Sequence, residues 1–263
     1  MCGIFGAINL DSYFNDNDYK EFINLTDLVS YRGPDASGYI ALNINSNSNN
    51  PNRFQIFLGH KRLSIIDLSP VGNQPMTDEN WLWIIYNGEI FNYIELKKEL
   101  IEKGYTFKTN TDTEVILKIY KEYGDSGFEK LNGMWAFAIV DTSNKKVVLS
   151  RDRFSIKPLY YTHINGQLYF ASEIKQLLPV IQKKEINHDT MYKFLSQGML
   201  DNNNETFFSG IYKLEPRTNM ILYLIDKKIQ YKKYWDYTVE NISNIDDAAD
   251  EFREVFIDSV KIR

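Results

Sequence analysis

Hydrophobic and polar positions along the chain fall into blocks of helical spacing separated by short apolar runs. In residues 19–29, 93–103 and 112–123 the apolar side chains recur three or four positions apart, which places them on one face of a helix. The last two segments are followed by Gly104 and Gly124, and glycine is common directly after a helix. The pattern therefore predicts three amphipathic helices.

Short aromatic and β-branched runs predict strands between and after these helices. The predicted strands cover residues 54–58, 81–86, 135–141, 146–150, 158–162 and 167–171. Asn165-Gly166, between the last two, is typical of a tight hairpin turn, and the polar segment 46–51 predicts an exposed hairpin connection. Antiparallel strands grouped between blocks of helix favour a layered α+β fold over a doubly wound α/β fold.

Composition and charge narrow the function classes. The 263 residues are 43% hydrophobic and 25% charged, with a formal net charge of −5, so no basic excess favours nucleic acid or an anionic membrane surface. No apolar run approaches the roughly 20 residues that span a bilayer, and residues 1–6 lack the features of a secretory signal. We expect a cytoplasmic protein without a nucleic-acid or membrane partner.

Cysteine, histidine and glycine usage adds further exclusions. The single cysteine forms no internal disulfide, and His60, His163 and His188 are too scattered to indicate a metal site. The chain has neither a glycine-rich dinucleotide fingerprint nor a phosphate-binding loop. We therefore expect no metal and no cofactor in this chain.

The candidate chemistry starts at Cys2. A lone cysteine is most often a small buried apolar residue, but removal of Met1 would place a thiol and an α-amine on one residue. The amine, with an ordinary pKa near ~8, can then act as the base for the thiol, so no histidine is required. The following Gly3 permits close backbone approach, and the apolar residues 4–8 predict a buried strand that presents the thiol at its tip.

Eight short motifs occur in a fixed order over residues 2 to about 200. They are Cys2-Gly3-Ile4-Phe5-Gly6, Tyr31-Arg32-Gly33-Pro34-Asp35, Lys61-Arg62-Leu63-Ser64-Ile65, Tyr86-Asn87-Gly88-Glu89-Ile90, Thr111-Asp112-Thr113-Glu114, Gly133-Met134-Trp135-Ala136-Phe137, Arg151-Asp152-Arg153-Phe154 with Lys157-Pro158-Leu159-Tyr160, and Ala171-Ser172-Glu173. In this order they resemble the class II glutaminase domain of glutamine-hydrolysing asparagine synthetases. The resemblance implies an N-terminal-nucleophile hydrolase fold, an αββα four-layer sandwich of two antiparallel sheets flanked by helices.

The resemblance also implies catalytic roles. Cys2 is the nucleophile that attacks the side-chain amide of glutamine. The Asn87 amide and the Gly88 N–H match the donors that stabilise the oxyanion, with Gly88 on a turn of unusual backbone angle.

The implied glutamine-binding residues read both ends of the amino acid. Arg62 matches the position that binds the α-carboxylate through a two-pronged contact, and Asp112 and Glu89 match the acceptors for the α-ammonium. The remaining members of the implied binding set are Leu63, Ser64, Ile65 and Ile66. Arg32 lies in the loop that covers the pocket, where it can equally pair with a carboxylate such as Asp35.

Taken singly, these residues have ordinary structural interpretations. Asn87-Gly88 is usually a hairpin turn. Asp112 alone is typical of an acidic residue at a helix N-terminus, where Thr111 or Asp112 would be the cap. Arg62 alone favours a surface ion pair. Only the occurrence of all the motifs together, in this order, favours a glutamine-hydrolysing active site.

Two positions depart from the family pattern. Ser155 and Arg217 stand where relatives usually have glycine. If the backbone there has positive φ, the side chain costs on the order of 1 kcal/mol in local geometry.

The segment after about residue 205 resembles the start of a second domain. Residues 207–214, 219–225 and 229–235 resemble the strands and linker that join the glutaminase domain to the synthetase domain. Residues 246–262 predict an amphipathic helix, and without its partner domain we expect it to fray or self-associate. We therefore expect a glutaminase domain over 2–205 and a linker with the first segment of a truncated synthetase domain over 206–263. ATP and Mg²⁺ are expected only in the remainder of that domain.

Four hypotheses on function stay open at this point. The first is glutamine hydrolysis that feeds ammonia to asparagine synthesis, with L-glutamine and the synthetase domain as partners and a possible homodimer. The second is the same glutaminase feeding another acceptor, such as a sugar uronate. The third is a stand-alone N-terminal-nucleophile amidase, and the fourth is a non-catalytic binding module. The match of Arg62 and Asp112 to the family's glutamine-binding positions disfavours the stand-alone amidase. The presence of Cys2, Asn87 and Gly88 disfavours the non-catalytic binding module.

Overall fold

The computed structural model describes residues 1–44, 52–200, 203–239 and 244–263. The strands are β1 (Gly3–Asn9), β2 (Ala36–Leu42), β3 (Ile56–Arg62), β4 (Met76–Asp78), β5 (Leu82–Ile90), β6 (Gly133–Asp141), β7 (Lys146–Arg151), β8 (Tyr160–Ile164), β9 (Gln167–Ala171), β10 (Tyr212–Lys213), β11 (Thr218–Tyr223) and β12 (Lys228–Lys233). The helices are α1 (Asp16–Asp27), α2 (Tyr93–Glu102), α3 (Asp112–Tyr123), α4 (Ile174–Leu177), α5 (His188–Gln197) and α6 (Ile245–Lys261). The segment 46–51, predicted as a hairpin connection, lies outside the described residues.

The strands form two six-stranded sheets. The first sheet has the order β10-β8-β9-β1-β3-β2 and the second the order β12-β11-β7-β6-β5-β4. Neighbouring strands run antiparallel throughout. The inner faces of the two sheets pack on each other through aliphatic side chains of strands from both sheets, among them Ile4, Leu58, Ala138 and Leu149.

Helices cover the outer faces of both sheets. Phe22 and Leu25 of α1 and Leu177 of α4 pack on the first sheet. Leu96 of α2 and Val115 of α3 belong to the cluster on the second sheet. The predicted α+β arrangement of two antiparallel sheets between helices is confirmed.

Residue alternation along β1 explains its central place in the first sheet. Ile4 and Ile8 point into the core between the sheets, whereas Phe5 and Ala7 face the covering helices, as expected for a strand that is buried on both faces. Gly6 has no room for a side chain because a Cβ there would lie 2.0 Å from the Phe170 ring. This strand carries Cys2 at its amino end.

Most predicted elements are present, with shifted ends. Helix α3 has the predicted bounds. Helix α1 begins at Asp16 because Asn15 caps it and Asp18 bonds back to the Asn15 N–H at 2.7 Å, a capping box. The predicted hairpin turn is confirmed, with positive φ at Asn165 (50°) and Gly166 (73°).

The carboxyl-terminal strands belong to the same two sheets. β10 pairs with β8 in the first sheet, and β11 pairs with both β7 and β12 in the second. The predicted strand over 207–214 is reduced to the two residues of β10. The structure thus places 212–233 in the same layers as the strands before residue 205, the expected domain boundary, because pairing with β7 and β8 continues both sheets.

Helix α6 is amphipathic, as predicted, but none of its residues is buried. In the described part of the chain, no helix is long and apolar enough to cross a bilayer.

Candidate active site

The candidate site surrounds Cys2 at the amino end of β1. Gly3 lets this end lie close to the loop after α1, because a Cβ on Gly3 would lie 2.6 Å from Val29 Cγ2. The Leu63 N–H, just after β3, donates to Cys2 Sγ at 3.4 Å. The paired strands β1 and β3 therefore fix the position of the thiol.

Arg32 anchors the backbone of the nucleophile. Its Nε donates to the Cys2 carbonyl oxygen at 3.0 Å, and its Nη1 lies 2.9 Å from Glu173 Oε1. The partner is thus Glu173 rather than Asp35, whose Oδ2 instead accepts the Ser64 N–H at 2.7 Å. Arg32 is not among the residues that line the cavity described next, and the contacts above join it to the Cys2 backbone and to Glu173.

A cavity of about 200 Å³ opens beside the thiol. The sequence-derived residues that line it are Cys2, Arg62, Leu63, Ile65, Ile66, Asn87, Gly88, Glu89 and Asp112. Ser64, the remaining implied binding residue, is not among the residues that line this cavity. Met1 also lines the cavity.

Asn87 and Gly88 lie inside β5 rather than in a hairpin turn. They pair with Ala136 and Trp135 of β6. Gly88 has no positive φ; glycine is needed for a different reason, since a Cβ there would lie 2.3 Å from the Met134 carbonyl oxygen. The Gly88 N–H and the Asn87 side-chain amide therefore belong to adjacent residues of β5 at the cavity wall.

The Asn87 side chain is buried and unpaired. It is 1% exposed, and neither its Nδ2 nor its Oδ1 has a hydrogen-bond partner in the described structure. An unpaired buried amide costs about 1–3 kcal/mol. An amide kept in this state on a cavity wall is ready to bind a group that enters the cavity.

Arg62 holds the loop that follows β3 while it lines the cavity. Its Nη1 donates to Ser69 O and Asn73 Oδ1, both at 2.8 Å, and its Nη2 donates to Asp67 O. Gly72 packs against the guanidinium, where a Cβ would lie 2.4 Å from Nη2. Arg62 is therefore a buried loop anchor and not a surface ion pair.

Asp112 is a buried carboxylate at the start of α3. Thr111 caps the helix, since its Oγ1 accepts the Glu114 N–H at 3.3 Å. Asp112 Oδ2 accepts the Tyr86 hydroxyl at 2.8 Å and the Ile90 N–H at 3.0 Å. Burial raises the pKa of Asp112 to about 6 although these bonds favour the charged form. No cation pairs with it among the described residues, so a positive group entering the cavity would compensate this carboxylate.

Burial acts in opposite directions on the Met1 amine and the Cys2 thiol. It lowers the pKa of the Met1 amine, and the Arg32 and Lys157 cations lower it further. It raises the pKa of the Cys2 thiol, against the Leu63 hydrogen bond. Desolvation at this end of β1 therefore disfavours the charged form of both groups.

Two side chains of the site had no role assigned from the sequence. Lys157 lines the cavity and is 6% exposed. Its position in the motif Lys157-Pro158-Leu159-Tyr160 was the one feature of the sequence that could have indicated a role in the site. Gln74 accepts the Tyr86 N–H at 2.7 Å and donates to Thr113 Oγ1 at 3.2 Å. Nothing in the local sequence indicated Gln74. Within the described residues, no three His, Cys, Asp or Glu side chains come together as metal ligands.

The fold and the placement of Cys2 define a class of protein. Two stacked antiparallel sheets between helices, with a cysteine at the tip of a central strand beside a pocket, form the N-terminal-nucleophile amidotransferase fold. The solved glutamine phosphoribosylpyrophosphate amidotransferase of Bacillus subtilis is similar, with a TM-score of 0.64 over 90% of this chain and 50% of that chain. At 18% identity, this likeness shows the fold alone.

Sequence comparison gives the family. The glutamine amidotransferase domain family matches residues 1–235, and the chain belongs to this family. It is 36% identical to asparagine synthetase [glutamine-hydrolyzing] 1 of Bacillus subtilis, over 100% of this chain and 40% of that protein. It is also 36% identical to putative asparagine synthetase [glutamine-hydrolyzing] 2 of Methanocaldococcus jannaschii, over 100% of this chain and 52% of that protein.

The chain thus spans about half or less of the length of these curated relatives. The resemblance stated from the motifs is confirmed.

Proposed function

We propose that this domain hydrolyses glutamine to glutamate and ammonia through a thioester on Cys2. The observation that carries the proposal is the buried, unpaired Asn87 amide on the wall of the cavity that contains the thiol. A donor held without a partner suits a charge that appears only during the reaction, because it needs no rearrangement at that moment.

The charges on the cavity wall match a free amino acid. Asp112, buried and without a cation, and the half-buried Glu89 offer acceptors for an α-ammonium. Arg62 offers a guanidinium for the α-carboxylate. A substrate held at both ends by these groups directs its side chain toward Cys2.

The nucleophile, the base and the oxyanion donors of the proposed reaction all belong to this chain. The terminal amine takes the thiol proton, and Sγ attacks the side-chain carbonyl carbon of glutamine. The Asn87 amide and the Gly88 N–H donate to the resulting oxyanion. The amine returns the proton to the amide nitrogen, the C–N bond breaks, and ammonia leaves. A water molecule, deprotonated by the same amine, then attacks the thioester carbonyl carbon, the C–S bond breaks, and the amine gives its proton to the departing Cys2 sulfur as glutamate is released.

The acceptor of the ammonia is a further proposal. The two relatives above are named as asparagine synthetases, and we propose that a larger protein containing this domain makes asparagine from aspartate with ATP and Mg²⁺. The cytoplasmic location and the possible homodimer stay predictions. Assaying the full-length gene product with aspartate, ATP and glutamine tests this; formation of another amidated product would support a different acceptor.

The glutaminase proposal is tested with the chain whose first residue is Cys2. Glutamate release from glutamine is expected, with a Cys2-bound acyl group trapped by acid quench and identified by mass. Cys2→Ala should abolish both signals while the thermal unfolding curve stays unchanged. A chain that starts at Cys2, is folded, and releases no glutamate would overturn the proposal.

A further inference from the structure

Lys157 is a buried cation whose charge has no pairing group. Its side chain is 6% exposed, and within the described residues no hydrogen bond or ion pair joins its Nζ to another side chain. Burial lowers its pKa. A buried, unpaired ammonium is costly, and a folded chain that retains it in a cavity can use it there.

The backbone holds Lys157 firmly in place. The Asp152 carboxylate accepts its N–H at 2.9 Å, together with the N–H groups of Phe154 and Ile156, each at 3.0 Å. The Arg151 Nε donates to the Lys157 carbonyl oxygen at 2.9 Å. The residue is thus fixed from both sides at the cavity wall.

The other charges of the cavity are assigned to the two ends of the amino acid. Arg62, whose Nη1 and Nη2 also hold the loop after β3, is assigned to the carboxylate. Asp112 and Glu89 are assigned to the ammonium. This leaves Lys157 as an additional cation that lines the same cavity as Cys2 and interacts with it electrostatically.

Resting on the proposed function, we infer that Lys157 is a positioning residue of the glutaminase, whose charge stabilises the Cys2 thiolate across the cavity that both residues line. A nearby cation favours the anionic sulfur that must form before the attack on glutamine. The same charge also favours the oxyanion that follows.

The remaining charged groups around this pair limit the size of the effect. Those that act on Cys2 or Lys157 are the Met1 amine, which processing removes, and Arg32, Arg62, Glu89, Asp112 and Asp152. Asp112 opposes thiolate formation, whereas Arg62 assists it. Removal of Lys157 leaves Arg62 and Arg32 in place, so the thiolate should be weakened and not abolished.

The test measures thiol reactivity and turnover separately. In the chain that begins at Cys2, the pH midpoint for alkylation of the single thiol by iodoacetamide is compared in parent, Lys157→Met, Lys157→Gln and Lys157→Arg. We expect the midpoint to rise by about one pH unit in the Met and Gln variants and to return toward the parent in Arg. Lys183→Gln, which removes an 83% exposed lysine, should leave the midpoint unchanged.

Glutamine turnover supplies the second readout. At pH 7 the Met and Gln variants should lose about tenfold in kcat with little change in KM, and should recover part of it at higher pH. Equal alkylation midpoints in parent, Met and Gln would overturn the inference, as would an Arg variant shifted as far as Met. Because alkylation needs no glutamine, it tests Lys157 even if the parent proves inactive, and inactivity of the parent would instead count against the proposed glutaminase.

Discussion

Met1 lies in the proposed glutamine cavity and blocks the amine of the next residue. It lines the same space as Cys2 and Arg62, and its thioether lies 3.9 Å from Arg32 Nη2. While Met1 is present, the α-nitrogen of Cys2 is an amide and cannot serve as a base.

We therefore predict that only chains beginning at Cys2 hydrolyse glutamine. Intact mass of an active preparation should show loss of Met1, and a preparation kept unprocessed should be inactive by a factor of at least about 10³. A fully active sample that retains Met1 would rule out the amine as base.

The Asn87 amide has no structural partner to lose. Asn87→Ala should lower kcat by about 10²-fold, with less effect on KM, because the donor acts on the oxyanion. Thermal unfolding should stay within the error of the parent, or rise slightly, since an unpaired buried amide is removed. Asn24→Ala, at an exposed position of α1, is the matched control. A large fall in unfolding temperature with unchanged kcat would show a structural role instead.

Asp112 predicts a pH dependence of substrate binding. Its pKa of about 6 lies well above the ordinary value of an aspartate, so the free cavity holds a neutral carboxyl below about pH 6. A neutral carboxyl does not compensate an ammonium, so KM for glutamine should rise as the pH falls through 6. The same shift means that the contribution of Asp112 to the free energy of unfolding rises as the pH falls from 6 toward 4.

Asp112→Asn should raise KM by at least about tenfold and remove that acid limb. Initial rates over pH 5–8 check both statements. An acid limb that persists in the Asn variant would assign it to another group.

Helix α3 and the hairpin at Asn165-Gly166 could be predicted from sequence because their signals are local. Side-chain spacing, the cap at Thr111 and glycine at 124 all lie within the helix or next to it. Asn87-Gly88 carries the same local signal as Asn165-Gly166 but lies inside β5. The deciding contact is with Met134 of β6, and no local pattern reports such a distant pairing.

The electrostatic state of the site could not be predicted from the sequence either. That Asp112 has a raised pKa and that Asn87 is unpaired depends on burial by residues from several elements, including Gln74 and Tyr86. The same holds for Arg32: its ion pair with Glu173 joins loops 141 residues apart.

The two departures from the family pattern fall at strained turns, as expected. Ser155 has φ of 59° and Arg217 has φ of 53°. Ser155→Gly should raise the free energy of unfolding by about 0.5 kcal/mol, since relief of strain exceeds the entropy cost of glycine. Ser209→Gly, exposed and without positive φ, should lower it by about as much. Urea denaturation of both variants checks this; a Ser155→Gly variant that is destabilised like Ser209→Gly would show that the turn stores no strain.

The extent of the folded unit is decided by strand pairing after residue 205. β11 places Met220 and Leu222 in the core between the sheets, and it pairs along five residues with β7. We propose a unit that ends near residue 235, where the family match also ends. A chain cut after 205 would lose one edge strand of the first sheet and two strands of the second, and would expose β7.

Helix α6 contributes nothing to this core. Phe252 is 70% exposed and Phe256 57%, and the two rings stack on each other with centroids 6.0 Å apart. Its carboxyl end touches the domain through Arg263, whose guanidinium lies 5.1 Å from the centre of the Phe91 ring. A 17-residue helix with so little packing is marginal in water.

Three chains separate the contributions of these segments. The chain ending at 239 should unfold within about 2 °C of the full chain and keep its glutaminase rate, whereas the chain ending at 205 should lose cooperative unfolding, because it leaves the apolar surface of β7 uncovered. The full chain should self-associate more than the chain ending at 239 in sedimentation velocity, since the exposed aromatic stripe of α6 is available for pairing. Phe256→Glu in the full chain should reduce that association without changing the unfolding temperature. If the chain ending at 205 proved as stable as the chain ending at 239, the boundary expected from the sequence would stand and the carboxyl-terminal strands would be an addition to a complete domain.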